Sequence, residues 1–263
     1  VMKLKYGFVT TVKGGIIGIG SAIPFISLGA LLASIDLFKL VIDAICNFFK
    51  DVRKNTFILV PLILGIVVGF LAGSQIMTYL YPKYNCQIVL FFVGLIMGSI
   101  PTFASDIKKN KKLFGSLLFF LIFSIFLVFC FVHNITFNIN IDNLSNTIIY
   151  GVVTGIAILF PGFSEHLLNK LFGITSFTSF FGNNNFTLVY VIGVFIGFLL
   201  VCFIFKYLYK KPFINYILLS LILSSVVLMI LSITSFEYSF FCIFTSLLAF
   251  LWGFLLSRKI REE

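Results

Sequence analysis

Residues 14–32 read GGIIGIGSAIPFISLGALL, and residues 151–173 read GVVTGIAILFPGFSEHLLNKLFG. The two stretches share a pattern. Gly14, Gly18, Pro24 and Ser27 recur as Gly151, Gly155, Pro161 and Ser164, each displaced by the same 137 positions (151 − 14). The residues between are almost all apolar. Proline, glycine and serine interrupt helices, and a lipid-facing segment has no water to satisfy the backbone groups that an interruption exposes. A lone proline would read as a kink, with small residues allowing close helix packing. Two matched interruptions at corresponding places in two halves instead predict a transporter-type binding site near the middle of a membrane.

Composition sets the frame for that reading. Of the 263 residues, 60% are hydrophobic and 11% are charged, and the mean hydropathy is +1.14. Soluble domains carry about 25% charged residues, so the chain reads as an integral membrane protein. A helix needs about 20 residues to cross the hydrocarbon, which leaves room for about six crossings plus broken segments. The apolar runs are continuous rather than alternating, which excludes a β-barrel. The net charge of +10 does not point to nucleic acid, because most Lys and Arg sit in short clusters between hydrophobic runs, where they set membrane orientation. Cys46, Cys86, Cys130, Cys202 and Cys242 are scattered without a CxxC pair. They read as small core hydrophobes, with no disulfide framework, metal site or cofactor expected. The first apolar segment shows no small-residue cleavage site and is not read as a signal peptide.

The repeat extends beyond the breaks. Gly65 and Gly69 correspond to Gly193 and Gly197, and Tyr79-Leu80-Tyr81 to Tyr207-Leu208-Tyr209, at an offset of 128 (193 − 65). The run from Gly94 to Ser99 resembles Ser220 to Ser225. Residues 1–133 are therefore read as repeat unit 1, with a basic lead from Met2 to Lys13, a broken segment 14–50 and spans 56–80, 86–104 and 113–132. Residues 134–146 are an external linker. Residues 147–263 are repeat unit 2, with a broken segment 147–181 and spans 186–205, 213–233 and 240–256. Within the first broken segment, residues 36–51 place Leu37, Leu40, Val41, Ala44, Ile45 and Phe48 on one helical face.

The basic clusters orient these spans. Placing Lys3, Lys5 and Lys13 in the cytoplasm puts Lys50, Arg53 and Lys54, then Lys108, Lys109, Lys111 and Lys112, then Lys206, Lys210 and Lys211, and finally Arg258, Lys259 and Arg261 on the same side. This holds if each broken segment enters and returns on one side. The two halves then have opposite orientations, and both termini are cytoplasmic. A fully crossing broken segment paired with its following amphipathic helix gives the same net topology. The expected fold is an all-α integral membrane protein, an inverted repeat of two units, each a broken or re-entrant helical hairpin plus three transmembrane helices.

A returning segment leaves helix ends inside the membrane. The first N–H groups of a helix are unpaired and carry partial positive charge. Ser27 or Ser164 can cap such an end and offer its hydroxyl, which together favour an anion, above all a phosphate. Glu165 and His166 follow the second break directly. A carboxyl inside a membrane is a functional candidate, and with a histidine beside it the pair is a candidate for proton coupling. The alternative places both in a watery cavity.

Residues 14–32, 91–101 (FFVGLIMGSIP) and 151–173 resemble the bacterial and archaeal polyprenyl-phosphate transporters, long catalogued as a domain of unknown function. The resemblance covers nearly the whole chain. It implies translocation of undecaprenyl phosphate across the cytoplasmic membrane, returning the lipid carrier of cell-envelope synthesis to the inner leaflet. The family pattern near the first break is Pro-Gly-Val-Ser-Gly-Gly, of which Pro24, Ser27 and Gly29 carry over, while Phe25 and Leu28 replace glycines. Near the second it is Pro-Gly-x-Ser-Gly-Ser, of which Pro161, Gly162 and Ser164 carry over. Ser21 and Ser99 lie in the resembling stretches and complete the candidate substrate contacts.

The expected partners are a lipid-linked phosphate and membrane lipids, not nucleic acid, and a homo-oligomer is compatible with the sequence. A polyprenyl-diphosphate phosphatase is the enzymatic alternative. Its Pro-Gly-x-Ser motif continues with arginine, where this chain has Leu28 and Glu165, and no arginine occurs between Arg53 and Arg258. No catalytic residue is therefore assigned. A small-anion or ion transporter is the other alternative.

Overall fold

The computed structural model describes residues 2–24, 26–101, 143–161, 164–172, 184–208, 214–233 and 239–262, with short helical pieces at 118–119, 122–126 and 129. These residues form α1 (Met2–Ser21), α2 (Leu28–Ser34), α3 (Phe38–Cys46), α4 (Val52–Met97), α5 (Leu144–Leu159), α6 (Glu165–Phe172), α7 (Asn184–Leu208), α8 (Ile214–Leu231) and α9 (Phe240–Glu262). A 3₁₀ turn, Phe48–Lys50, joins α3 to α4. No strand occurs among the described residues. Three helices are long and apolar enough to cross a membrane, α4, α7 and α9, and α5 and α8 contain shorter apolar helices. The chain is a helical membrane protein. Most of the linker 134–146, the lysines at 108–112 and most of the span 113–132 lie outside the described residues.

α1 begins at Met2 rather than at Gly14. The basic lead contains no proline and a single glycine, Gly7, a cost of about 1 kcal/mol that does not stop the helix running back through it. α4 spans 46 residues and departs from helical geometry at Tyr84. A straight helix of that length would measure about 69 Å, more than twice the ~30 Å of a bilayer core. Its packing shows that it folds back. A Cβ at Gly73 would lie 2.8 Å from Ile19 Cα, and one at Gly20 would lie 2.6 Å from the Phe92 ring. Gly73 and Phe92 would be about 28 Å apart on a straight helix, yet they meet adjacent residues of α1. Residues 52–83 and 85–97 are thus two arms, divided inside the 81–85 turn that the sequence marks.

Glycines set which helices touch. Gly14 faces Leu62 and Gly65, and Gly18 faces Ile66 and Phe70. In the second half Gly151 faces Tyr190 and Gly193, and Gly155 faces Val194 and Phe198. A Cβ at Gly14 or at Gly151 would sit 2.5 Å from the carbonyl of Leu62 or of Tyr190, so only glycine lets these backbones come so close. The contacts recur residue for residue at the sequence offsets of 137 and 128 (Leu62 to Tyr190, Ile66 to Val194, Phe70 to Phe198).

The same contacts fix direction. Residue numbers rise together along α1 and the first arm of α4, and along α5 and α7, so each pair is parallel. Residues 22–51 therefore carry the chain back to the side where α1 starts, and α7 starts on the same side as α5. The second arm of α4 and α9 also run parallel, with Cys86 beside Ser246, Gly94 against Phe250, and Gly98 against Phe254 and Ser257.

The first return is made by α2 and α3. Asp36 adopts φ 60 between them, a left-handed turn that delays α3 to Phe38. That shift brings Phe38 and Ile42 into the buried face with Val41 and Ala44, while Leu40, Ile45 and Phe48 are only half-buried. The end of α3 docks on α7. The Cys46 thiol donates to the Cys202 carbonyl at 3.0 Å, and Lys206 Nζ donates to the Cys46 carbonyl and Asn47 Oδ1. A cation at a helix C-terminus meets the free carbonyls there.

Candidate functional site

The two breaks meet. α1 ends where Ala22 and Ile23 bond back to Ile19 and Gly20, and Pro24 stands half-buried in the turn that follows. α5 ends at Phe160, just before Pro161, whose missing N–H stops the helical ladder. Ser27 connects the two. Its Oγ accepts from Ala30 N–H at 3.4 Å, capping α2, and donates to the Phe160 carbonyl at 3.2 Å. One hydroxyl thus serves an N–H at a helix start and a carbonyl at a helix end. Ser27 is 1% exposed.

Gly29 presses on the same place. A Cβ there would collide with the Leu159 carbonyl and stand 3.0 Å from Pro161 N. Ser164 caps α6, its Oγ accepting from Leu167 N–H at 3.2 Å. The equivalent serines of the two breaks therefore perform the same local task, each bonding the N–H three residues ahead. They differ in the second bond, which Ser27 makes to the opposite break.

A cavity of about 160 Å³ opens at this junction, lined by Ser21, Ile26, Leu28, Phe70, Ala157, Ile158 and Ser164. Its walls come from both halves, and residues at the starts of α2 and α6 border it. Ser21 Oγ donates to the Gly18 carbonyl at 2.8 Å, leaving its lone pairs as acceptors. Among the described residues, no Lys, Arg or His lines it.

The candidate residues fall into groups. Ser21 and Ser164 line the cavity. Ser27, Gly29 and Pro161 form the contact between the breaks. Ser99 is buried at the end of α4, donating to the Ile96 carbonyl at 2.6 Å, and is not among the lining residues. Its neighbour Gly98 packs on Ser257, whose Oγ donates to the Ser34 carbonyl at the far end of α2. Gly162 lies outside the described residues, as do the side chains of Glu165 and His166, whose backbone opens α6.

Sequence reasoning did not single out Phe70, Ala157 or the Phe160 carbonyl. The last carried a readable signal, because Pro161 marks the end of an apolar helix, and carbonyls at a helix end bond outside the helix. Phe70 carried none, since one apolar residue of a long span looks like the next.

The model of the VCA0040-like family, described as undecaprenyl phosphate translocase-like, matches residues 8–178, well over half of the chain. No curated protein and no solved structure matches.

Proposed function

We propose that this chain, which belongs to the undecaprenyl phosphate translocase-like family, is a flippase that carries a polyprenyl phosphate across the cytoplasmic membrane. The observation that carries the reading is the convergence of two matched breaks on one hydroxyl-lined cavity. The phosphate lies near Ser21 and Ser164, where the starts of α2 and α6 offer partial positive charge. Pro24, Ser27, Gly29, Pro161 and Gly162 shape the backbone around it, and Ser99 supports the end of α4. Most of the isoprenoid tail stays in lipid.

In this reading the halves form an inverted repeat, and each broken segment is a hairpin entering from one face. The recurrence of the glycine contacts at fixed offsets supports the repeat. The parallel course of α1 with α4, and of α5 with α7, supports the returning segments. Both termini are cytoplasmic. Transport alternates by one half rocking against the other around the fixed site. Glu165 and His166, directly after Ser164, share a proton, which His166 passes to the Glu165 carboxylate so that it is neutral beside the arriving phosphate.

The deciding experiment follows a labelled polyprenyl phosphate between leaflets of proteoliposomes. Wild-type protein speeds the exchange, and Ser164→Ala slows it at least about ten-fold with unchanged yield, the loss of a hydrogen bond to a charged group. Exchange equal in empty liposomes and proteoliposomes defeats the flippase. Release of inorganic phosphate from undecaprenyl diphosphate by the purified protein would install the phosphatase reading in its place.

A further inference from the structure

The hydroxyl-lined cavity shares a wall with a second one. This also measures about 160 Å³ and is lined by Val153, Ile156, Ala157, Phe160 and Leu168. None of these side chains carries a polar atom. Residues 153, 156, 157 and 160 stand on one face of α5 and its end, and Leu168 comes from α6. Ala157 belongs to both linings, so the two cavities adjoin at that residue. Phe160 ties the chamber to the meeting of the breaks. Its ring packs on Phe205 at 5.9 Å between centroids, and its carbonyl takes the Ser27 hydroxyl.

A free inorganic anion has no use for such a chamber, whose walls cannot replace its hydration. A ligand with a polar head joined to a branched apolar chain gives each cavity an occupant, with the joining bond placed beside Ala157, where the two linings meet. We propose that the chamber is a tail subsite. It takes the first five-carbon unit of a prenyl phosphate while the head rests against Ser21 and Ser164. This rests on the headgroup reading above and deepens it, because the site then selects prenyl phosphates over free phosphate. Lipid chains are as apolar as these walls, so for a membrane-dissolved substrate the chamber selects by shape. For a water-soluble probe it also adds affinity, a factor of about four in Kd for each methylene removed from water.

The test measures Kd for inorganic phosphate and for dimethylallyl phosphate on the full chain in nanodiscs. Wild type binds dimethylallyl phosphate at least about ten-fold more tightly, fewer than two methylenes' worth of burial. Val153→Phe fills the chamber and brings that ratio close to one, leaving the Kd for inorganic phosphate unchanged. Ser164→Ala weakens both ligands and preserves the ratio. Val153→Ala enlarges the chamber and shifts preference from dimethylallyl toward geranyl phosphate, which provides a second reading should the Phe variant fail to fold. Equal affinity of wild type for phosphate and dimethylallyl phosphate overturns the tail subsite and leaves the headgroup site standing. So does a ratio or a chain preference that the Val153 variants leave unmoved. Binding of neither probe by wild type overturns both.

Discussion

Ser27 is the residue on which the two halves touch most specifically. Replacing it with alanine removes the cap of α2 and the hydrogen bond to the Phe160 carbonyl. A lost cap costs about 1 kcal/mol, and a lost hydrogen bond about as much again. Ser27→Ala therefore lowers the thermal midpoint in detergent, and Ser27→Thr, which keeps the hydroxyl, recovers most of it. Gly29→Ala is a sharper probe. Alanine is the better helix former by about 1 kcal/mol, so propensity alone favours the change. A Cβ at Gly29 nevertheless collides with the Leu159 carbonyl. Exchange of polyprenyl phosphate in proteoliposomes should fall at least about ten-fold in Gly29→Ala, and a fully active variant shows that the breaks do not need this approach. Ser27 and Gly29 were legible as candidates, because a serine before an apolar helix marks a cap. Their shared partner was not, since the Phe160 backbone lies 133 positions from Ser27.

At the scale of elements, helix identity follows from local chemistry and helix pairing from glycine. α1 and α5 each carry a glycine pair four residues apart, and each lands on such a pair in its neighbour. Backbones brought this close gain dispersion contacts that bulkier residues prevent, which is the main attraction available between helices in lipid. Gly155→Val should separate α5 from α7 and cut the yield of monodisperse protein severely. Gly7→Ala in α1, where nothing stands within 4 Å of the added methyl, should leave yield and thermal midpoint equal or slightly higher. Equal behaviour of the two variants removes close packing from the account. The break at Tyr84 belongs to this scale too. Residues 81–85 read as a turn because Pro82, Lys83 and Asn85 interrupt an apolar run. α4 leaves helical geometry at Tyr84, inside them, so the turn marked in the sequence is where the two arms divide.

For the whole molecule, the orientation taken from lysines has a structural consequence. Residues 86–104 and the last span are both assigned a course toward the cytoplasm, and the second arm of α4 does run parallel to α9. Single cysteines placed at Lys54, Lys83 and Lys259 in a cysteine-free background test the topology. A membrane-impermeant thiol reagent applied to intact cells should label position 83 alone, and all three after lysis. Labelling of 54 or 259 in intact cells reverses the orientation and with it the faces from which the two breaks open.

The sequence by itself determined that this is a helical membrane protein, where its helices break, and which glycines and serines recur in its two halves. Those properties are local, since hydropathy, helix-breaking residues and spacing act within a turn or two of the chain. Only the tertiary structure decided that the breaks meet, that Ser21 and Ser164 face one cavity while Ser99 lies elsewhere, and that an apolar chamber adjoins it across Ala157. These depend on how deeply one helix settles against another. That depth is set by backbones in contact through glycine, and no period or motif along a single strand of sequence records it.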